Sequence, residues 1–252
     1  MLKLMKLVIL VLIIFLILNN LGKKEDFRSF NRISNYYYIN LDRHQDRRKY
    51  MENQFQNHNL SINRFKAFDK NLINQAYLDD LEGKNVILSK TQIKNKRKEG
   101  SLACLISHTN LWKKIHSEKK GDISLIFEDD CEILPNFQNK LDTALQNAPD
   151  DWDMIWLGYN NIKGDKVSEY YYKPYQGFHK GFNTQHHCYL VKTSSIPKIL
   201  NIVFPVPLSF TNKDSILRNN FNKFNAYFYK EKLAVQDTET FPFSERTGNR
   251  NG

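Results

Sequence analysis

Ile123-Ser124-Leu125-Ile126-Phe127 runs directly into Glu128-Asp129-Asp130, and Cys131-Glu132-Ile133 follows. The apolar run has the length and the β-branched and aromatic content of a buried strand. Three acids at the end of such a strand repel one another unless a cation shares them. Hard carboxylate oxygens suit Mg²⁺ or Mn²⁺, ions that commonly bridge a carboxylate to phosphate groups. A solvated acidic turn is the plainer alternative.

Outward from this strand, helices and strands alternate. Gly100 breaks the chain, and Ser101 can cap a helix running to about His116. Leu102, Leu105, Ile106, Thr109 and Trp112 fall on one face of it at helical spacing. Beyond the acids, Pro135 to Ala148 reads as a helix and Trp152 to Leu157 as another buried strand. Nearer the N-terminus, Tyr36 to Leu41 and Arg64 to Phe68 read as strands, with a charged helix from Asp46 to Phe55 between them. Lys84 to Lys98 is polar and basic with few core positions, and reads as a mobile excursion. The alternation predicts an α/β sheet with helices on both faces. Ligands of such sheets lie beyond the carboxyl ends of the strands. Asn40-Leu41-Asp42 and Glu128-Asp129-Asp130 both fall there, so one ligand can touch both.

The chain of 252 residues fits one domain with a sizeable core. A net charge of +10 suits polyanions, anionic membranes or nucleotide diphosphates. The densest basic cluster is Lys94, Lys96, Arg97 and Lys98, but no nucleic-acid-binding motif accompanies it, and no nucleic-acid partner is expected. The three cysteines, Cys104, Cys131 and Cys188, have no CxxC spacing, which argues against a disulfide framework or a zinc site. Leu7 to Leu18 is unbroken apolar sequence, preceded by Lys3 and Lys6 and followed by Lys23 and Lys24. Counted from Leu4 to Leu21 it approaches the lower length limit for crossing a bilayer, and no small-residue cleavage site follows. Residues 1–22 are therefore expected to be a tail and single-pass signal anchor, 23–32 a stem, and 33–252 a domain on the lumenal or external side. Lysines flank both ends of the run, so charge does not set its orientation.

Five segments carry a resemblance. They are Tyr37-Tyr38-Ile39-Asn40-Leu41-Asp42-Arg43, Arg64-Phe65-Lys66-Ala67-Phe68-Asp69, Gly100-Ser101-Leu102-Ala103-Cys104-Leu105-Ile106-Ser107-His108, Leu125-Ile126-Phe127-Glu128-Asp129-Asp130 and Trp152-Asp153-Met154-Ile155-Trp156-Leu157-Gly158. In this order and spacing they resemble glycosyltransferase family 25, over roughly residues 33 to 245. That family includes lipooligosaccharide and procollagen galactosyltransferases. The resemblance implies a GT-A-like nucleotide-binding sheet. It also implies a metal-dependent hexosyltransferase, inverting, moving galactose or glucose from UDP-galactose or UDP-glucose to a glycan or a hydroxylated protein. Lipopolysaccharide and other glycan biosynthesis is the setting it suggests. A catalytically silent relative that binds sugars or acts in adhesion is the alternative.

By the same resemblance Asp130 is the first ligand of Mn²⁺ or Mg²⁺, with Glu128 or Asp129 near the ribose or at the second coordination position. Asn40, Asp42 and Arg43 are expected on the nucleoside side. Asp69 resembles the Asp of the family's A-V-D-G pattern, although Lys70 stands where the Gly would be. Ser107 and His108 match the family's S-H pair and are expected at the sugar or diphosphate, with a packing histidine as the alternative. Arg47 and Arg48 either reach the diphosphate or only solvate their helix. Inversion needs one general base, and a metal-bound carboxylate is a poor one. Asp214 resembles the Asp of a D-x-x-L pattern, opens a predicted helix to Asn219, and is the candidate base, with a helix N-cap as the alternative. His187, in His186-His187-Cys188-Tyr189-Leu190-Val191, is the second candidate, and Asp153 the third. Cys104 and His108 have chelating spacing but no further ligand at useful spacing.

Overall fold

A computed structural model describes residues 33–176, 185–244 and 248–249. The predicted anchor and stem lie outside the described residues. Among the described residues, no helix is long and apolar enough to cross a membrane.

In chain order the first strands are β1 (Ile33–Asn40), β2 (Asn63–Lys66), β3 (Ile123–Glu128), β4 (Cys131–Ile133) and β5 (Met154–Gly158). They are followed by β6 (Gly164–Lys166), β7 (Tyr171–Pro174), β8 (Cys188–Lys192), β9 (Ala226–Tyr229) and β10 (Ala234–Gln236). The helices are α1 (Gln45–Asn57), α2 (Gln75–Gly83), α3 (Lys96–Glu118), α4 (Phe137–Gln146), α5 (Ile196–Val203) and α6 (Lys213–Arg218). Among the described residues, eight strands make one sheet in the order β2-β1-β3-β8-β5-β9-β7-β6. β1 runs parallel to both β2 and β3, while β8 is antiparallel to both β3 and β5. β4 pairs with β10 outside this sheet.

The sheet is mixed and covered on both faces, and the period-two alternation of strand side chains sorts them between two cores. Tyr37 and Ile39 of β1, Ile126 of β3, Tyr189 and Val191 of β8 and Trp156 of β5 pack on one side with Leu102, Leu105 and Trp112 of α3 and Ile199 of α5. Tyr38, Leu125, Phe127, Cys188, Leu190 and Ile155 pack on the other side with Met51 and Phe55 of α1 and Leu141 and Leu145 of α4. Every residue from Ile123 to Phe127 is buried, which is why the strand reads as a continuous apolar run rather than an alternating one.

Two local expectations are corrected. The long helix begins at Lys96, not Ser101, because the Asn95 side chain accepts from the Lys98 amide at 3.0 Å and caps it. Gly100 and Ser101 sit buried inside it. The stretch from Lys84 to Lys98 is built structure rather than an excursion. Ser89 and Gln92 form a reciprocal capping box around the 3₁₀ turn Lys90–Gln92, and Ile87 and Ile93 are buried in the core. Val86-Ile87-Leu88 and the lone Ile93 are too few in a polar run to register as periodicity.

Candidate active site

Because β1, β2 and β3 are parallel neighbours, their carboxyl ends open on one edge of the sheet. A cavity of about 210 Å³ lies there. Ile39 of β1 and Leu41 just after it, Ala67 and Phe68 after the end of β2, and Glu128-Asp129-Asp130 at the end of β3 line it. Its α3 wall is made by Gly100, Ala103, Cys104, Ser107 and His108, which recur at helical spacing on one face. Lys213 and Asp214 of α6 close another side.

The three acids each have basic or amide partners. Asp129 accepts from Asn40 Nδ2 at 2.7 Å and from Arg47 Nη1 at 3.0 Å. Burial, reinforced by the neighbouring Asp130, nevertheless raises its carboxyl above the ordinary range. Asp130 accepts through Oδ2 from Gln236 Nε2 at 3.0 Å and Arg47 Nη1 at 3.4 Å. Glu128 Oε1 accepts from Lys213 Nζ at 2.9 Å, and His108 Nε2 lies 3.1 Å away. Burial favours the neutral acid, but the Lys213 ammonium and His108 outweigh it and hold Glu128 well below the usual carboxylate range. Lys213 is itself buried; burial opposes its charge, yet Glu128 and Asp214 raise its pKa above the normal lysine value.

His108 continues this network inward. Trp112 Nε1 donates to the Tyr189 hydroxyl at 2.9 Å, and that hydroxyl lies 2.7 Å from His108 Nδ1. A Tyr189 proton on Nδ1 leaves the imidazole N–H on Nε2, directed at Glu128. Burial and the Lys213 charge lower the His108 pKa, so the ring is neutral near pH 7. Ser107 serves the scaffold: its hydroxyl donates to Ala103 O at 2.7 Å and accepts from the Phe68 amide at 2.8 Å, tying α3 to the end of β2.

Of the predicted site residues, Arg43, Ser107, His108, Glu128, Asp129, Asp130 and Asp214 line the cavity. Asn40 is fully buried behind Asp129 and also holds Arg64 Nε at 2.9 Å. Asp42 stands outside, paired with Arg64 and Lys66 at 2.6 Å each. Asp69 pairs with Arg43 and caps the 3₁₀ turn Lys70–Leu72. Asp214 is not the N-cap of α6; Asn212 is, in a capping box with Ser215. His187 is not among the residues lining the cavity, and its Nε2 lies 3.2 Å from the Ala234 carbonyl. Its neighbour His186 takes the place beside Asp214, with Nδ1 3.3 Å from Asp214 Oδ1. Asp153 precedes β5 at the opposite edge, where Ser195 Oγ, Lys198 Nζ and the Asn225 amide hold it at 2.5, 2.7 and 2.7 Å.

The sequence profile of glycosyltransferase family 25 (LPS biosynthesis protein) matches residues 33–212. The chain belongs to this family. A putative glycosyltransferase of Acanthamoeba polyphaga mimivirus is 31% identical over 132 residues, covering 52% of this chain and 39% of that protein. Procollagen galactosyltransferase 1-A of Xenopus laevis is 30% identical over 151 residues, covering 58% of this chain and 24% of that protein. The chain thus aligns to well under half the length of either relative. A glycosyltransferase involved in the glycosylation of the major capsid of PBCV-1 overlays with a TM-score of 0.42 at 8% identity, over 86% of this chain and 90% of its own.

Within this family 25 chain, Lys213 and Gln236 escape a reading by motif, and Arg47 and His186 enter it only as members of the Arg47-Arg48 and His186-His187 pairs. Lys213 and His186 are both buried beside Asp214. Arg47 is buried and grips Asp129, Asp130 and the Phe243 carbonyl, the last at 2.7 Å, whereas Arg48 is a surface partner of Glu52. Gln236 arrives from β10, more than a hundred residues after the acid it holds. The structure also supplies the third group that spacing lacked: Cys104, His108 and Glu128 bring ligand atoms within 4.8 Å of one another. The Lys213 ammonium already sits 3.0 Å from His108 Nε2 and 2.9 Å from Glu128 Oε1, where a metal would have to bind.

Proposed function

We propose that this chain transfers a hexose from a UDP-sugar to a hydroxyl acceptor, with inversion and with a divalent cation. One observation carries the reading: the carboxyl edge of β1, β2 and β3 gathers Asp129 and Asp130 into one cavity with the basic Arg43 and Lys70 and with Asp214. Guanidinium and ammonium groups suit a diphosphate, and the carboxylates suit a hard cation. The fit to Mn²⁺ or Mg²⁺ rests on the donor set, which is carboxylate oxygen. Glu128 fits less well, because the Lys213 ammonium already neutralises it. Asp130 is the residue that would hold the ion. Such an ion, when bound, supplies Lewis-acid stabilisation of the leaving diphosphate.

The chain's own residues do the rest. Arg43 and Lys70 orient the diphosphate, and Asn40 and Arg47 keep Asp129 and Asp130 in place. Asp214 takes the proton from the acceptor hydroxyl as that oxygen attacks the sugar carbon. UDP-galactose is the favoured donor over UDP-glucose, supported by the galactosyltransferase relative. The acceptor is a glycan or a hydroxylated protein, and the apolar run Leu7 to Leu18 is the segment that would hold the domain at a membrane.

The internal cations favour a second reading. Lys213 and Arg47 neutralise the acids without any metal, as they would in a catalytically silent sugar-binding relative. UDP release from a panel of UDP-sugars, with and without Mn²⁺, separates the two. Mn²⁺-dependent release, strongest with UDP-galactose, is expected. Release from none of the donors in any metal would favour the silent relative.

A further inference from the structure

His186 is buried, at 1% exposure, on the inner side of Asp214. Its ring packs 4.5 Å from the Trp156 ring and 6.0 Å from Phe228, centroid to centroid. Among the described residues, neither ring nitrogen has a hydrogen-bond partner in good geometry. The nearest polar atom is Asp214 Oδ1, 3.3 Å from Nδ1. Buried polar atoms without partners are rare in native interiors, and leucine or phenylalanine would suit an aromatic pocket better. Asp214 itself lines the cavity, and the Gln185 amide donates to its Oδ2 at 3.0 Å. The arrangement is therefore a carboxylate at the cavity wall with an imidazole directly behind it.

We infer that His186 is the positioning residue of Asp214, its Nδ1–H closing onto Oδ1 when the acceptor binds and holding the carboxylate in the orientation that accepts a proton. This rests on the reading of Asp214 as the base. Hydrogen bonds of this kind are often long before substrate binds and tighten in the complex. In the transfer step the acceptor O–H bond breaks and its proton moves to the Asp214 carboxylate. The acceptor oxygen forms its bond to the anomeric carbon, and the bond from that carbon to the phosphate oxygen breaks, leaving its electron pair on UDP. His186 keeps the same protons throughout. Burial pushes its pKa down to about 4, so it stays neutral and serves as a donor at working pH. The charged and titratable groups around the pair are Lys213 and Arg218 on α6, His108 on α3, Glu128 at the end of β3, and His187 beside His186.

The test compares His186→Phe, His186→Asn and Asp214→Asn in the full-length protein. Phenylalanine keeps the stack on Trp156 and removes the donor. Asparagine places an amide N–H close to where Nδ1 stood. The expected result for His186→Phe is unchanged UDP affinity and a fall in kcat of roughly 10- to 100-fold. The acid limb of its pH–rate profile should move upward, because a carboxylate that loses a donor holds its proton more tightly. His186→Asn should restore the limb and most of kcat. If Asp214→Asn is inactive while His186→Phe keeps the wild-type rate and acid limb, His186 is only packing and the inference is wrong. If Asp214→Asn itself transfers at the wild-type rate, the base assignment fails, and the role of His186 with it. Should His186→Phe not fold, His186→Leu is read against the same asparagine rescue.

Discussion

Asp153 and Asp214 are both carboxylates beside the sheet, but their surroundings assign them different work. Asp214 meets the cavity, whereas Asp153 is buried at the far edge with three donors on its oxygens. Burial alone would raise the Asp153 pKa; Lys198, Ser195 and the Asn225 amide outweigh it and lower it. A carboxyl whose folded value is depressed contributes stability above its unfolded value, and that contribution is lost as pH falls through the folded value. Asp153→Ala should therefore cost about 2–3 kcal/mol at neutral pH, as loss of a buried hydrogen-bonded network does. The difference from wild type should shrink below about pH 4 in urea melts, and transfer by the folded fraction should be unchanged. The acids Glu128 to Asp130 were legible because charge at the end of an apolar run demands an explanation. Lys213 was not, because a lysine beside an aspartate reads as a solvated pair until burial is known. His186 and His187 differ by one position, and only the register of the backbone entering β8 says which ring meets Asp214.

At the scale of elements, α6 is six residues long and depends on its cap. Asn212 accepts from the Ser215 amide at 2.8 Å, and Ser215 Oγ returns a contact to the Asn212 amide at 3.2 Å. Lys213 and Asp214 occupy the turn that this box holds. Asn212→Ala should cost about 1 kcal/mol in thermal or urea melts. It should also slow transfer several-fold while leaving UDP affinity near wild type, which would be seen as a kcat effect in steady-state kinetics. Loss of stability with unchanged kcat would place the capping box outside the chemistry. β3 and β5 were the most legible elements, since burial on both faces leaves unbroken apolar runs, whereas β4, β6, β7, β9 and β10 are short and were not read from the sequence. The start of α3 was not, because Gly100 reads as a breaker while its helix actually extends a full turn earlier under the Asn95 cap. Gly in a helix interior costs only about 1 kcal/mol, so packing can override it.

At the scale of the whole molecule, the alternation of strands and helices predicted the layers but not the strand order. The antiparallel β8 inserts between β3 and β5, and its direction brings the residues before Cys188 to the same edge as the ends of β1 and β3. No sequence pattern states that pairing, because a buried strand looks alike in either direction. The described residues from Ile33 onward form a compact unit of their own. Removing residues 1–22 should therefore leave UDP release intact while abolishing recovery with membranes in a flotation assay. Loss of activity together with aggregation would show that the apolar run belongs to the folded core. If Asp130, at the end of β3, holds the cation proposed above against the leaving diphosphate, Mn²⁺-dependent UDP release by Asp130→Ala, measured alongside a thermal melt, reports it directly. The expected result is a wild-type-like fold with release lowered by at least roughly 10²-fold, the scale of losing electrostatic stabilisation at a reacting centre. A folded Asp130→Ala protein that releases UDP at the wild-type rate, with the wild-type Mn²⁺ dependence, would contradict it.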